Sequence, residues 1–362
     1  GVEGKFYTFT KDEIMTILSK DEDLFCIYYQ IRDDGNWEEE RTNILMRTME
    51  DSELASQLGI SEKELTDKIS EAKKILLAAR AGRIRPGLDN KILASWNGMM
   101  LKAYTDAYRV FGEPEFLEKA KLNAAFIQNK LMSGNEIRRV YSSDISRDEW
   151  SGAFLDDYAF VIDGLIGLYE ASFDEGYLYK AKQLADYTIS DFYDTESGMF
   201  FYTPKTGEQL IARKQEIMDN VIPSSNSVMA NNLHKLGHLF DQQNYLEISL
   251  SMLRNVHPHI KSYGSAYSNW AILLLNNVFG LYEIAITGTE AEEKRKEIEK
   301  YYIPNKILLG GTSGTLPLLA DRLKAETKIY VCRNKTCLLP VTETIEAIKQ
   351  IDNPNTRPGG QD

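Results

Sequence analysis

Three short phrases set the pattern of this chain: Phe116-Leu117-Glu118-Lys119-Ala120, Tyr177-Leu178-Tyr179-Lys180-Ala181 and, more loosely, Tyr245-Leu246-Glu247-Ile248-Ser249. They begin 61 and 68 residues apart, and each follows a long apolar stretch that reads as a helix, at 90–111, about 155–173 and about 225–240. A fourth such stretch, about 266–286, contains AILLLNNVFGLYEIAI. A repeat of this length is one supersecondary unit that cannot bury its apolar face alone and must stack against its neighbours. Here the unit is a helical hairpin, longer than the usual solenoid repeat because long loops, 133–150 and 195–223, join successive copies. Inner and outer helices in alternation, with the long loops gathered at one end, predict a mainly α chain folded as an α/α toroid.

The first inner helix follows a loop. Arg85, Pro86 and Gly87 do not sit easily inside a helix. Asp89 then supplies an N-cap, and the sequence stays helix-compatible from Asn90 to Phe111 until Gly112 and Pro114. About 22 residues at about 1.5 Å each make a rod of roughly 33 Å. Its apolar residues wrap most of the circumference, which predicts burial on most sides. Its polar start, with Asp89, Asn90, Trp96 and Asn97, is expected to open on a cavity.

The flanks are less regular. Thr10 with Glu13, and Ser61 with Glu64, are capping boxes, the second opening a helix to about Ala81. Phe25–Ile31 is a β-branched and aromatic run that reads as a strand. After about residue 300 come a Gly/Ser-rich loop, a brief strand at Lys328–Cys332, a turn and a closing helix at Thr342–Ile351. The expected divisions are a strand-containing leading segment at 1–82 that belongs to the toroid, hairpins at 83–305, a cap at 306–352 and a disordered tail at 353–362.

Composition narrows the function. A net charge of −12 without a basic stripe argues against nucleic acid, and no apolar run reaches the length of a membrane span. Three cysteines are too few for a disulfide framework, so a cytoplasmic setting is expected, with Cys332 and Cys337 as reduced thiols. Twenty tyrosines and four tryptophans supply faces for packing and for stacking on sugars. No cofactor motif is present. His234 and His238 stand at i, i+4 without the Glu of a metalloprotease motif, and no metal is assigned to them.

Five phrases, EGKFYTFTKDEI (3–14), RPGLDNKILASWNGMM (85–100), GAFLDDYAFVIDGLIGLYEAS (152–172), PSSNSVMANNLHKL (223–236) and YVCRNKTCLLPV (330–341), resemble in order the large thioredoxin-domain proteins of the spermatogenesis-associated type. The resemblance implies a six-hairpin, (α/α)6-like toroid related to the N-acylglucosamine 2-epimerases and to six-hairpin glycosidases. Members begin with a thioredoxin-like domain bearing Cys-x-x-Cys; no such motif occurs here, so the chain reads as the C-terminal portion. Four hairpins against six imply an incomplete ring in this chain. Its exposed flanks would be covered by residues 5–81, by the missing N-terminal portion or, as the favoured expectation, by a second copy.

In such a toroid the loops entering the inner helices meet at one mouth. That gathers Asp89, Asn90, Trp96 and Asn97; Asp156, Asp157 and Tyr158; Glu216, Asp219, Ser225 and Asn226; and Trp270. Asp156, Asp157 and Glu216 are the acid/base candidates, because two carboxylates across a pocket can give and take a proton. The others are candidates to bind a sugar or polyol. Competing readings are plain ones: Asp89, Asp156 and Ser225 are good N-caps, and Trp96 and Trp270 suit a core. The resemblance favours a sugar epimerase or isomerase. The alternatives are a glycosidase-like enzyme and a non-catalytic module that recruits clients for the missing domain.

Overall fold

A computed structural model of the chain describes residues 4–143, 152–207 and 211–352. The expected tail at 353–362 and part of loop 133–150 lie outside the described residues. The chain forms two compact units, divided after Asp89.

The first unit holds four helices, α1 (Lys11–Leu18), α2 (Glu22–Tyr28), α3 (Asp51–Leu58) and α4 (Glu62–Ala81). The capping box at α1 is used as read, with Thr10 Oγ1 accepting from Glu13 N–H and Glu13 returning the bond; at α4 only half of the expected box forms, Ser61 accepting from Glu64 N–H while the Glu64 carboxylate goes to Lys68. The apolar run 25–31 is mostly helix α2 rather than strand. Phe25, Cys26 and Tyr28 lie on its buried face against Ile14, Leu65 and Ile69, so burial overrides β propensity there. Among the described residues of this unit, extended pairing is limited to isolated bridges, Phe9 with Asn43 and Trp37 with Thr42.

The second unit is an α/α-toroid arc. Its inner helices are α5 (Ala94–Phe111), α7 (Leu155–Ser172), α9 (Ser225–Phe240) and α11 (Ser268–Phe279); its outer helices are α6 (Pro114–Phe126), α8 (Glu175–Phe192) and α10 (Gln243–Ile260). Two-residue turns join inner to outer, each entered through a left-handed residue, Gly112, Phe173 or Asp241. Helix α5 starts at Ala94 with Leu93 as N-cap, not at Asn90, because Ile92–Leu93 is taken as strand β1 by Val140–Tyr141, strand β4. Between them Met132–Ser133 (β2) pairs with Glu136–Ile137 (β3), and after α8 Tyr193–Asp194 (β5) pairs with Met199–Phe200 (β6).

Helix α7, not α5, is the most enclosed of the described helices: 16 of its 18 residues are buried. Glycines allow α5 to lie directly on it. A Cβ at Gly98 would meet Phe160 backbone at 2.6 Å, and one at Gly164 would meet Gly98 O at 2.9 Å. The other side of α5 is open, with Trp96, Met100, Val110 and Phe111 exposed, because α5 has an inner neighbour within this unit on one flank only.

The stretch 266–286 is not one helix. It stops at Phe279, Gly280 takes φ +76°, and Tyr282–Thr287 becomes strand β7. Thus the arc has three complete hairpins and one unpaired inner helix. Strand β7 pairs in parallel with β8 (Lys306–Gly311) through helix α12 (Ala291–Glu299), and antiparallel with β9 (Lys328–Arg333). A short β10 (Thr336–Cys337) and helix α13 (Thr344–Asp352) complete the layer. The sheet packs where the inner helices end: Leu308 N–H donates to Glu170 Oε1 (3.0 Å), and Glu283 Oε1 lies 2.7 Å from His238 Nδ1. Cys332 and Cys337 face each other across β9 and β10 and are joined as a disulfide, against the expectation of two thiols. Antiparallel register brings their Cα atoms to 3.9 Å, a proximity that the turn Asn334–Lys335 imposes.

Candidate functional site

The starts of α5, α7, α9 and α11 stand at one end of the arc, together with the long loops. Two aspartates tie them in pairs. Asp157, third residue of α7, accepts at Oδ2 from Phe154 N–H (3.0 Å) and at Oδ1 from Ser95 N–H of α5 (2.9 Å). Asp219 accepts at Oδ1 from Ser224 N–H (2.9 Å) and Ser227 Oγ–H (2.8 Å), and at Oδ2 from Asn269 N–H of α11 (2.9 Å). The first amides of a helix lack partners within it, and each carboxylate satisfies those of two neighbouring helices at once. Both residues are therefore structural staples.

Capping is distributed differently from the sequence reading. The N-cap of α9 is Ser224, with Ser225 one position inside and fully buried, and Asp156 is the second residue of α7. Asp89 is the last residue of the first unit and is exposed, while Asn90 is exposed and accepts from Ser142 Oγ–H at 3.2 Å. Asn97 donates to Leu93 O, Asn226 brackets Phe200 and Glu216 through backbone bonds, and Tyr158 Oη accepts from Ile137 N–H. Trp270 is fully buried with Nε1–H on Ile217 O, whereas Trp96 is 65% exposed. Trp96, Asp157, Glu216 and Trp270 thus share one end of the arc but not one cavity.

Asp156 and Glu216 have capacity to spare. Arg139 Nη1 reaches Asp156 Oδ1 at 3.2 Å and Asp157 Oδ2 at 3.1 Å, with its guanidinium over the Phe154 ring. Tyr202 hydrogen-bonds Asp156 as well. Burial raises the Asp156 carboxyl above its ordinary value, and Glu216 adds repulsion, while Arg139 and Tyr202 oppose the rise. Burial and the charge of Asp156 push Asp157 up to about 6. Arg139 and Tyr202 were not legible as site residues: they come from separate loops, and only the fold brings them to the tandem aspartates.

Glu216 accepts from Ser225 N–H at 3.3 Å and lines a cleft of about 950 Å³ with Asn220, Asn255, His259, Tyr263 and Tyr267. His259 and Tyr267 stack at 6.2 Å between centroids. A carboxylate, amides and aromatic faces in a cleft of that size match a small polar ligand. The aromatic faces are these, not Trp96 and Trp270.

No family model matches the chain. Among curated proteins it is similar to spermatogenesis-associated protein 20 of Homo sapiens, 27% identical over 386 aligned positions that cover 96% of this chain and 49% of that protein. The Rattus norvegicus protein of the same name is 29% identical, covering 87% and 43% respectively. The chain spans about half the length of these relatives. Among solved structures it is similar to cellobiose 2-epimerase from Bacillus thermoamylovorans (14% identity, 58% of each chain, TM-score 0.39). A GH76 α-mannanase of Bacteroides thetaiotaomicron is 15% identical over 61% of this chain and 71% of that one, also with TM-score 0.39. No residue role is carried to this chain from either structure.

Among the described residues, no group of three or more His, Cys, Asp and Glu is placed to hold a metal ion. His234 and His238 touch ring to ring, but His238 turns to Glu283, and Nε2 of His234 is buried without a partner. No helix among those residues is long and apolar enough to cross a membrane.

Proposed function

We propose that the cleft beside the start of α9 takes a sugar or polyol, and that Asp156 and Glu216 exchange protons with it in an epimerase- or isomerase-like reaction. The observation that carries the reading is the division of labour among four acids at the rim. Asp157 and Asp219 are consumed in tying helices together, while Glu216 lines the cleft and the buried Asp156 lies within electrostatic reach of it. A carboxyl raised by burial is the natural proton donor, and the carboxylate on the cleft wall is the acceptor. Removal of a proton beside a carbonyl and its return on the other face would be redox-neutral and consume nothing but the sugar.

The test is exchange of solvent deuterium into a panel of neutral aldoses and ketoses, read by mass spectrometry beside thermal-shift binding. The expected result is exchange for at least one sugar, lost at least a hundredfold in Asp156→Asn and Glu216→Gln without loss of fold. Asp157→Ala should instead lower stability. Cleavage of oligosaccharides without exchange would move the reading to a glycosidase. A chain that neither binds nor exchanges any sugar would be a non-catalytic module, which the relatives' additional length accommodates.

A further inference from the structure

A second cavity, of about 870 Å³, lies on the concave side of the arc, away from the rim acids. Its walls are the faces of α5, α7, α9 and α11, and its floor is the segment 299–306 leading into β8. Charged side chains project into it from α5, α7, α9 and the floor, and most are already paired. Lys235 meets Asp163 at 3.4 Å and Lys102 meets Asp106 at 2.5 Å. Glu299 is held by Arg109 and by Arg295 (2.5 Å), and Glu170 by Arg109 (3.4 Å) and the Leu308 N–H (3.0 Å).

On the floor, besides the exposed Lys300, the half-buried Lys306 is the exception. Its Nζ donates to Ile303 O at 3.3 Å, and among the described residues it has no ion-pair partner of its own. The cluster of Arg109, Arg295 and Lys306 against Glu170 and Glu299 is therefore left with one positive charge in excess. Burial first, and the neighbouring Arg109 second, push the Lys306 ammonium below its ordinary value, against the opposing pull of Glu299 and Glu170. An independent observation points the same way. Asn276, on α11, is only 9% exposed and lines this cavity, and its amide has no hydrogen-bond partner among the described residues. That amide faces the cavity rather than a protein partner, so a ligand seated there can bond it. Asn231 and Asn269 continue the amide wall beside it.

We infer that this concave cavity is a binding site for a small hydroxylated organic anion, with Lys306 taking the carboxylate or phosphate and Asn276 a hydroxyl or carbonyl. The site is separate from the rim and does not rest on Asp156 or Glu216. A neutral sugar would leave the lysine unsatisfied, and a bare anion would leave the amide so; the pairing of the two selects a molecule that carries both groups.

Calorimetric titration of the whole chain with glucuronate, glucose 6-phosphate, glucose and inorganic phosphate tests this. At least one of the two anionic sugars should bind, with glucose and phosphate at least tenfold weaker; which of the two binds separates carboxylate from phosphate recognition. Lys306→Met should weaken that binding at least tenfold, Lys306→Arg less, and Glu216→Gln not at all. The last comparison keeps failure of the rim reading distinct from failure of this one. Should Lys306→Met not fold, protection of Lys306 from acetic anhydride by the bound anion, read by mass spectrometry on the unaltered chain, gives the same answer. Binding of neither anionic sugar, equal affinity for glucose, or unchanged labelling of Lys306 on ligand addition would overturn the proposal.

Discussion

At His234 a single side chain couples stability to pH. Its Nε2 is buried without a partner, and burial, then His238 and Lys235, lower its pKa to about 3. An unfolded histidine titrates near 6.5. Below that pH the unfolded chain takes up a proton that the folded chain refuses, so stability falls as pH drops from about 6.5 towards about 3, by at most about 1.4 kcal/mol per unit. Urea unfolding at pH 7 and pH 5 should therefore differ by up to about 2 kcal/mol from this group. His234→Leu should flatten that part of the profile; an unchanged slope would place the titration elsewhere. The same scale explains why tandem aspartates mislead. Asp156 and Asp157 are adjacent, yet one spends its oxygens on two helix starts and the other keeps capacity at the rim.

Between elements, the α5–α7 contact decides how tightly the arc is wound. Ordinarily a glycine inside a helix costs roughly 1 kcal/mol relative to alanine, so Gly→Ala should stabilise. At Gly164 the opposite is expected. The added methyl would lie 2.9 Å from Gly98 O and 3.0 Å from Leu101 side-chain atoms, and neither α5 nor α7 can retreat without opening the packed face. Gly164→Ala should destabilise by about 1–3 kcal/mol in denaturant unfolding. A neutral or stabilising result would mean that the helices have more room than their backbones show.

For the whole molecule, the unfinished fourth hairpin has a consequence in solution. Helix α11 has no outer partner, because the chain leaves it for β7, and Leu275, Val278 and Phe279 are each more than half exposed. Apolar residues so grouped usually mark an interaction surface. Light scattering is expected to find the chain as a dimer, and Leu275→Gln with Phe279→Gln to return it to a monomer. A monodisperse monomer before any substitution would count against self-association through α11.

The hairpin period, the positions of the outer helices, the N-caps Thr10 and Ser61 and the closing strand and helix were determined by the sequence alone. Those signals are local: apolar spacing at 3.6 residues, an N-cap with its carboxylate three residues on, and a glycine or proline at a boundary. What only the tertiary structure decided depends on partners distant in the chain. The apolar run 25–31 became mostly helix because a helical core surrounds it, and 282–287 became strand because 306–311 and 328–333 lie alongside. The mouth acids were legible as a group, since each stands near an inner-helix start. Their division into staples and free acids was not, because hydrogen bonds from Ser95, Asn269, Arg139 and Tyr202 make it, and no local spacing encodes those. Lys306 and Asn276 gave no motif at all. They face one cavity only because a strand and a helix 30 residues apart meet across the arc.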